Sequence, residues 1–147
     1  MIVKTIGGTK RKVYVSFDYE RDRAFCDFFT DQGGESGATW QVAHSSHAYD
    51  GSNHEWLIAT TRGIKRCEVL VAILGPTAFR SPGVLKEIQI AEILKKTVFQ
   101  IIPYGVGKPN IIPTAGRVIR WDFEAVKRFM AASAPPPRLP YGTAFTI

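Results

Sequence analysis

Residues 68–74 read Glu-Val-Leu-Val-Ala-Ile-Leu, apolar at every position after the first. A strand with one wet face alternates polar and apolar side chains, so an unbroken run of this length fits a strand covered on both faces, as in parallel sheets flanked by helices. The rest of the chain supplies its neighbours. Residues 12–17 (Lys-Val-Tyr-Val-Ser-Phe) are β-branched and aromatic, and residues 19–32 follow with Phe25, Phe28 and Phe29 at helical spacing. Gly33, Gly34 and Gly37 break that helix, residues 39–43 form a second strand, and residues 45–53 a polar loop. Residues 54–67 place Trp56, Leu57 and Ile64 on a helix leading into the 68–74 strand. Ser81-Pro82 then gives an N-cap followed by proline at the first helical position, opening a helix through Val84, Leu85, Ile88, Ala91 and Leu94. Residues 97–102 form a fourth strand, 103–116 a Pro/Gly-rich loop, 117–121 a fifth strand and 122–132 a last helix. Strands alternating with helices predict a three-layer α/β fold of flavodoxin-like layout with a five-stranded parallel sheet.

The chain of 147 residues matches one core, so residues 1–132 are expected to form one domain. Residues 133–147 form an extension whose Pro135, Pro136, Pro137 and Pro140 forbid regular helix or a central strand. No apolar run approaches the ~20 residues of a membrane helix, and residues 1–12 carry no signal-peptide stretch, so no membrane partner and a cytoplasmic location are expected. Cys26 and Cys67 match no C-x-x-C or zinc spacing and read as packing residues. The formal charge of +6 favours polyanionic company without choosing it. Part of it comes from Lys4, Lys10, Arg11 and Lys12, and part from Lys95 and Lys96 at a helix end. Basic residues interleaved with a base-stacking aromatic platform are not found, which argues against nucleic acid. Gly7-Gly8-Thr9-Lys10 precedes the first strand and lacks the Walker spacing of a phosphate loop.

In doubly wound sheets ligands bind beyond the carboxyl ends of the strands, where the strand order switches. The loops after strands one, two and three place Ser16, Phe17 and Asp18, then His44, Ser45, Ser46 and Asp50, then residues 75–82 leading to Glu87, around one crevice. Asp18 and Glu87 are the acids of interest there, and the residues alone leave open whether each is a reactive group or a solvated or helix-start carboxylate. Phe17 fits core packing as well as ligand contact, and Arg80 fits plain solvation as well as phosphate binding. His44, His47 and His54 have no acid or cysteine spaced to complete a metal site, so no metal is expected.

Three segments carry a resemblance. Residues 12–19, Lys-Val-Tyr-Val-Ser-Phe-Asp-Tyr, look like the opening strand of the Toll/interleukin-1-receptor-like (TIR) family that includes the sensor subunit of the bacterial Thoeris antiphage defence system. Residues 81–88, Ser-Pro-Gly-Val-Leu-Lys-Glu-Ile, resemble the TIR pattern S-x-W-C-x-x-E, whose glutamate is catalytic in NAD-cleaving members and maps onto Glu87. Residues 115–122, Ala-Gly-Arg-Val-Ile-Arg-Trp-Asp, are similar to the end of the same bacterial subfamily. The likeness spans about residues 11–131 and departs from the pattern at Gly83 and Val84, where many TIR domains have tryptophan and cysteine.

The resemblance implies an NAD-consuming enzyme with Glu87 as catalytic residue, NAD as substrate and no separate cofactor. It further implies contacts from Ser16, Phe17 and Asp18 to the nicotinamide ribose and base, from Ser45 and Ser46 to phosphates, and from Arg80 to the pyrophosphate. The 45–53 loop corresponds to the family's BB loop, and self-association through TIR surfaces is expected. The product would be an ADP-ribose-derived, cyclic second messenger acting on a separate effector protein in antiviral signalling. A non-catalytic TIR-like adaptor is the main alternative, favoured by the missing tryptophan as Glu87 favours the enzyme. A nucleoside deoxyribosyltransferase-like enzyme also uses a carboxylate on a related fold. A receiver domain would need an acid after strand three, where Ile73-Leu74-Gly75-Pro76 has none.

Overall fold

A computed structural model describes residues 10–132 of the chain. Lys4, residues 7–9 and the Pro-rich extension 133–147 lie outside these residues. Five strands form one parallel sheet in the order β2-β1-β3-β4-β5: β1 is Arg11–Ser16, β2 Trp40–Ser45, β3 Val69–Ile73, β4 Thr97–Ile102 and β5 Arg117–Arg120. The helices are α1 (Arg23–Gly33), α2 (His54–Lys65), α3 (Pro82–Ile93) and α4 (Phe123–Ala132). This is the flavodoxin-like α/β layout expected from the alternation. Because β1 to β2 and β2 to β3 run in opposite directions across the sheet, right-handed crossovers put α1 and α2 on opposite faces.

The strand parity divides the core accordingly. Val13, Val15, Val69, Val71, Ile73, Phe99 and Ile101 face α1 and α4, packing on Phe25, Phe29, Val126 and Met130. Tyr14, Leu70, Ala72 and Leu74 face α2 and α3, packing on Ile64, Val84, Ile88 and Ala91. Every residue of β3 is buried, as its unbroken apolar run demands.

Two boundaries differ from the sequence expectation, each for a local reason. α1 begins at Arg23, not at residue 19, because Asp18 makes its own turn: its Oδ1 accepts the Glu20 N–H (3.1 Å) and its carbonyl accepts those of Arg21 and Asp22. β2 extends through Ser45, which the sequence reading gave to the loop. A bulge between Val13 and Tyr14 pairs Val13 with Val42 but Tyr14 with His44, leaving one extra residue in β2. α3 starts as expected, with Pro82 in the first turn and Ser81 Oγ accepting the Val84 N–H (3.4 Å).

The crossover from β4 to β5 has no helix. Gln100, fully buried, takes its place as an organiser: its Oε1 accepts the Ile112 N–H, and its Nε2 donates to the Ile112 and Gly116 carbonyls, each at 2.9 Å. One side chain thereby satisfies backbone groups that an irregular connection would otherwise bury unpaired.

Candidate active site

Glu87 sits in the core-facing stripe of α3 together with Val84, Ile88 and Ala91, an apolar position for a carboxylate. It is 1% exposed. Three hydroxyls satisfy it: Ser16 and Ser46 each donate to Oε1 at 2.6 Å, and Tyr14 donates to Oε2 at 3.0 Å. Burial pushes the Glu87 carboxyl up to about 7 from 4.5, against the opposing pull of the hydrogen bonds from Ser16, Ser46 and Tyr14. The same burial, reinforced by the Glu87 charge, holds the Tyr14 phenol far above its ordinary range, so Tyr14 keeps its proton and donates it to Glu87.

The strands explain why these groups meet. Tyr14 and Ser16 are two apart in β1 and therefore share the face that α3 covers. Ser46 follows β2, and its N–H donates to the Val15 carbonyl (2.9 Å) while its Oγ accepts the Phe17 N–H (3.0 Å). The bulge decides which serine arrives. With Val15 opposite Ser45, Ser45 shares the Val15 face and contacts the Cys26 side chain, leaving Ser46 beside Ser16. Ser45 therefore lies on the opposite face of the sheet from Ser16 and Glu87.

Above this cluster lies a cavity of about 340 Å³ at the carboxyl ends of β1 and β3, on either side of the switch in strand order. One wall is the turn after β1, with Asp18, Glu20 and Arg21, and the other is the segment 77–83, with Thr77, Arg80, Ser81 and Gly83. Asp18 is buried and its Oδ2 accepts from the Thr77 hydroxyl. Arg80 is exposed at the mouth, its guanidinium 5.7 Å from the centre of the Phe79 ring. Gly83, on the cavity wall, precedes Glu87 by one helical turn, about 6 Å of rise along the backbone of α3, and Glu87 itself does not line the cavity.

The Phe17 side chain packs away from Glu87. It is 4% exposed, stacks on Tyr19 and belongs to the core facing α1, so only its backbone N–H touches the site, through Ser46. The histidines are dispersed: His44 packs near Gly63, and His47 lies against Trp56. Among the described residues, no group of three or more His, Cys, Asp and Glu side chains is arranged to hold a metal ion. No helix among them is long and apolar enough to cross a membrane.

Sequence reasoning missed Tyr14 and Asp22, and placed the 75–82 and 45–53 loops at the site without singling out Thr77 or Tyr49. Tyr14 carried a legible signal, since it shares the parity of Ser16 in a strand otherwise filled by valine on the other face. Asp22 carried none. Its carboxylate fills the space beside Gly75, where a Cβ would fall 2.1 and 2.2 Å from its oxygens. Burial, followed by the charge of Asp18, raises the Asp22 carboxyl to about 6, and its Oδ2 has no hydrogen-bond partner.

The arrangement is a carboxylate buried in the core, held by hydroxyl donors that can rotate, near a crevice with mixed acidic and basic walls. That suits stabilisation of a developing positive charge better than metal or thiol chemistry: Cys26 and Cys67 are buried and burial raises both thiols to about 11. No protein-family model matches the chain, and no curated protein matches it in sequence. Among solved structures it aligns with a Clostridium botulinum CMP N-glycosidase, BcmB, at 18% identity, covering 81% of this chain and 96% of that one with a TM-score of 0.43. A likeness of that size carries no inference about chemistry.

Proposed function

We propose that this chain is a TIR-like, NAD-cleaving enzyme whose catalytic residue is Glu87, with residues 1–132 as its domain. The observation that carries the reading is the buried Glu87 carboxylate, held by Ser16, Ser46 and Tyr14 one turn below the switch-point cavity. The matches of residues 12–19, 81–88 and 115–122 to the TIR pattern support it.

One carboxylate suffices for the chemistry. The nicotinamide of NAD is a cationic pyridinium, so when the C1′–N bond breaks its nitrogen takes the electron pair and it leaves neutral, without a proton from an acid. The ribose gains oxocarbenium character, which Glu87 stabilises electrostatically or traps as an ester. A ribose hydroxyl replaces one serine hydroxyl on the carboxylate. Attack by water gives ADP-ribose and a proton, and attack by a nucleophile of the same molecule gives a cyclic isomer. Asp18 contacts the nicotinamide ribose, Ser46 stays with Glu87, and Arg80 at the mouth pairs with the pyrophosphate. The nucleotide product would reach a separate effector protein in antiphage defence, and copies of the chain would self-associate through their TIR surfaces.

One feature favours a non-catalytic adaptor instead: Glu87 is 1% exposed and both of its oxygens already accept from the protein. Incubating the purified protein with NAD, alone and with lysate of phage-infected cells, and resolving the products by chromatography and mass spectrometry decides between them. Release of nicotinamide that Glu87→Gln abolishes supports the enzyme, with a rate rising with pH through about 7 as Glu87 ionises. NAD left intact under both conditions refutes it and leaves the adaptor.

A further inference from the structure

The apolar surfaces of the cavity come from Tyr19, Tyr49 and Pro82. Tyr19 is already engaged: Phe17 stacks on it with ring centres 6.0 Å apart, and the Arg23 guanidinium lies 4.1 Å from its centre. Tyr49 is held differently. Trp56 meets its ring edge to face at 4.7 Å and 85°. A Cβ on Gly51 would fall 2.2 Å from the Tyr49 hydroxyl oxygen, and one on Gly83 would fall 3.1 Å from the Tyr49 Cβ and 3.4 Å from its Cγ. Two positions without side chains therefore make a slot for this one ring, yet Tyr49 remains 42% exposed and borders both the cavity and the groove along α3.

A fixed aromatic ring with wet surface, beside Gly83 and one turn above Glu87, is suited to a flat cationic partner. Aromatic faces attract cations, and because the walls carry both signs, Asp18 and Glu20 with Arg21 and Arg80, the preference for a cation rests on the ring. Resting on the NAD reading above, we propose that Tyr49 determines substrate specificity here: the pyridinium of the substrate lies against its ring, which sets the ribose C1′ towards Glu87. The attraction is largest before the C1′–N bond breaks, because the leaving base is neutral. Tyr49 therefore stabilises the bound substrate more than the transition state, so its loss raises KM without lowering kcat.

The test compares Tyr49→Leu, which keeps apolar bulk in the slot, with Tyr49→Phe, which keeps the ring, each checked for folding by thermal melting. Nicotinamide release is measured for each. Binding of NAD, NADH and ADP-ribose is measured by calorimetry in the Glu87→Gln background, with and without each Tyr49 change. Tyr49→Leu should raise KM about threefold to thirtyfold with kcat equal to or above that of the parent, and Tyr49→Phe should match the parent. The parent should bind NAD more tightly than NADH, whose nicotinamide is uncharged, and Tyr49→Leu should erase that preference while leaving ADP-ribose binding unchanged. Turnover of NAD with Tyr49→Leu indistinguishable from the parent overturns the Tyr49 role and leaves the enzyme reading standing. Equal loss of NAD and ADP-ribose binding also overturns it, marking Tyr49 as structural. No turnover and no NAD binding by any protein overturns both.

Discussion

Replacing Glu87 by glutamine keeps the shape of the side chain and removes its charge. The oxygen of glutamine can still accept from Ser16 and Ser46, and its amide can donate to the Tyr14 oxygen once that hydroxyl turns. What changes is the penalty for an ionised carboxylate in the core. The Glu87 carboxyl is raised from 4.5 to about 7 in the folded protein. The folded state therefore holds a proton that the unfolded state has released between those values, and stability falls as pH rises through that window. At about 1.4 kcal/mol per pH unit, the full effect is ~3 kcal/mol above pH 7 and nothing below pH 4.5. Glu87 is almost fully buried, so solvent screening removes little of this.

For a chain of 147 residues the unfolding entropy near the midpoint is about 0.3 kcal/mol/K, which converts ~3 kcal/mol into a shift of about 10 °C. Glu87→Gln should melt with the parent at pH 4.5 and about 10 °C above it at pH 8, with an intermediate difference at pH 6. Calorimetric melts of both proteins at those pH values measure it. Coincident melting at pH 8, or a difference that does not vary with pH, would refute the claim that this carboxylate is held at a cost to stability. A costly buried acid that glutamine would replace to advantage is one that selection for stability alone does not explain.

Two further substitutions probe the scaffold. Gly75→Ala drives a Cβ into the Asp22 carboxylate and should cost about 2 kcal/mol in urea unfolding, falling below about 0.5 kcal/mol in an Asp22→Ala background; equal costs in both backgrounds would show that the two residues are not coupled. Gln100→Leu leaves the Ile112 N–H and the Gly116 carbonyl without their side-chain partner and should destabilise the protein by about 2–3 kcal/mol, with loss of hydrogen-exchange protection at Ile112; retained protection would mean the β4–β5 crossover holds without it.

The layout of the fold was legible because it follows from period and punctuation. The unbroken apolar run at 68–74 required a doubly covered strand, Ser81-Pro82 marked the start of α3, and alternation of strands with helices required a parallel sheet. Helix spacing also aligns Glu87 with Val84, Ile88 and Ala91, but the residues alone leave a solvated carboxylate open, and only the packing of α3 on the sheet buries it. The start of α1 could not be read from the pattern, because the Asp18 side chain competes with helix formation only in the turn conformation that the fold imposes.

What tertiary structure decided is which polar groups meet. A period of two places Tyr14 and Ser16 on one face of β1, but whether Ser45 or Ser46 joins them depends on a bulge set by how β2 pairs with its neighbour, and one inserted residue reverses the facing of all that follow. Asp22 beside Gly75 and Tyr49 between Gly51 and Gly83 are contacts between segments far apart or folded back on themselves, made possible by absent Cβ atoms. Sequence by itself determines periodicity, and so the layers; the burial of Glu87 and contacts between separate segments depend on packing, register and loop path, which only the folded chain fixes.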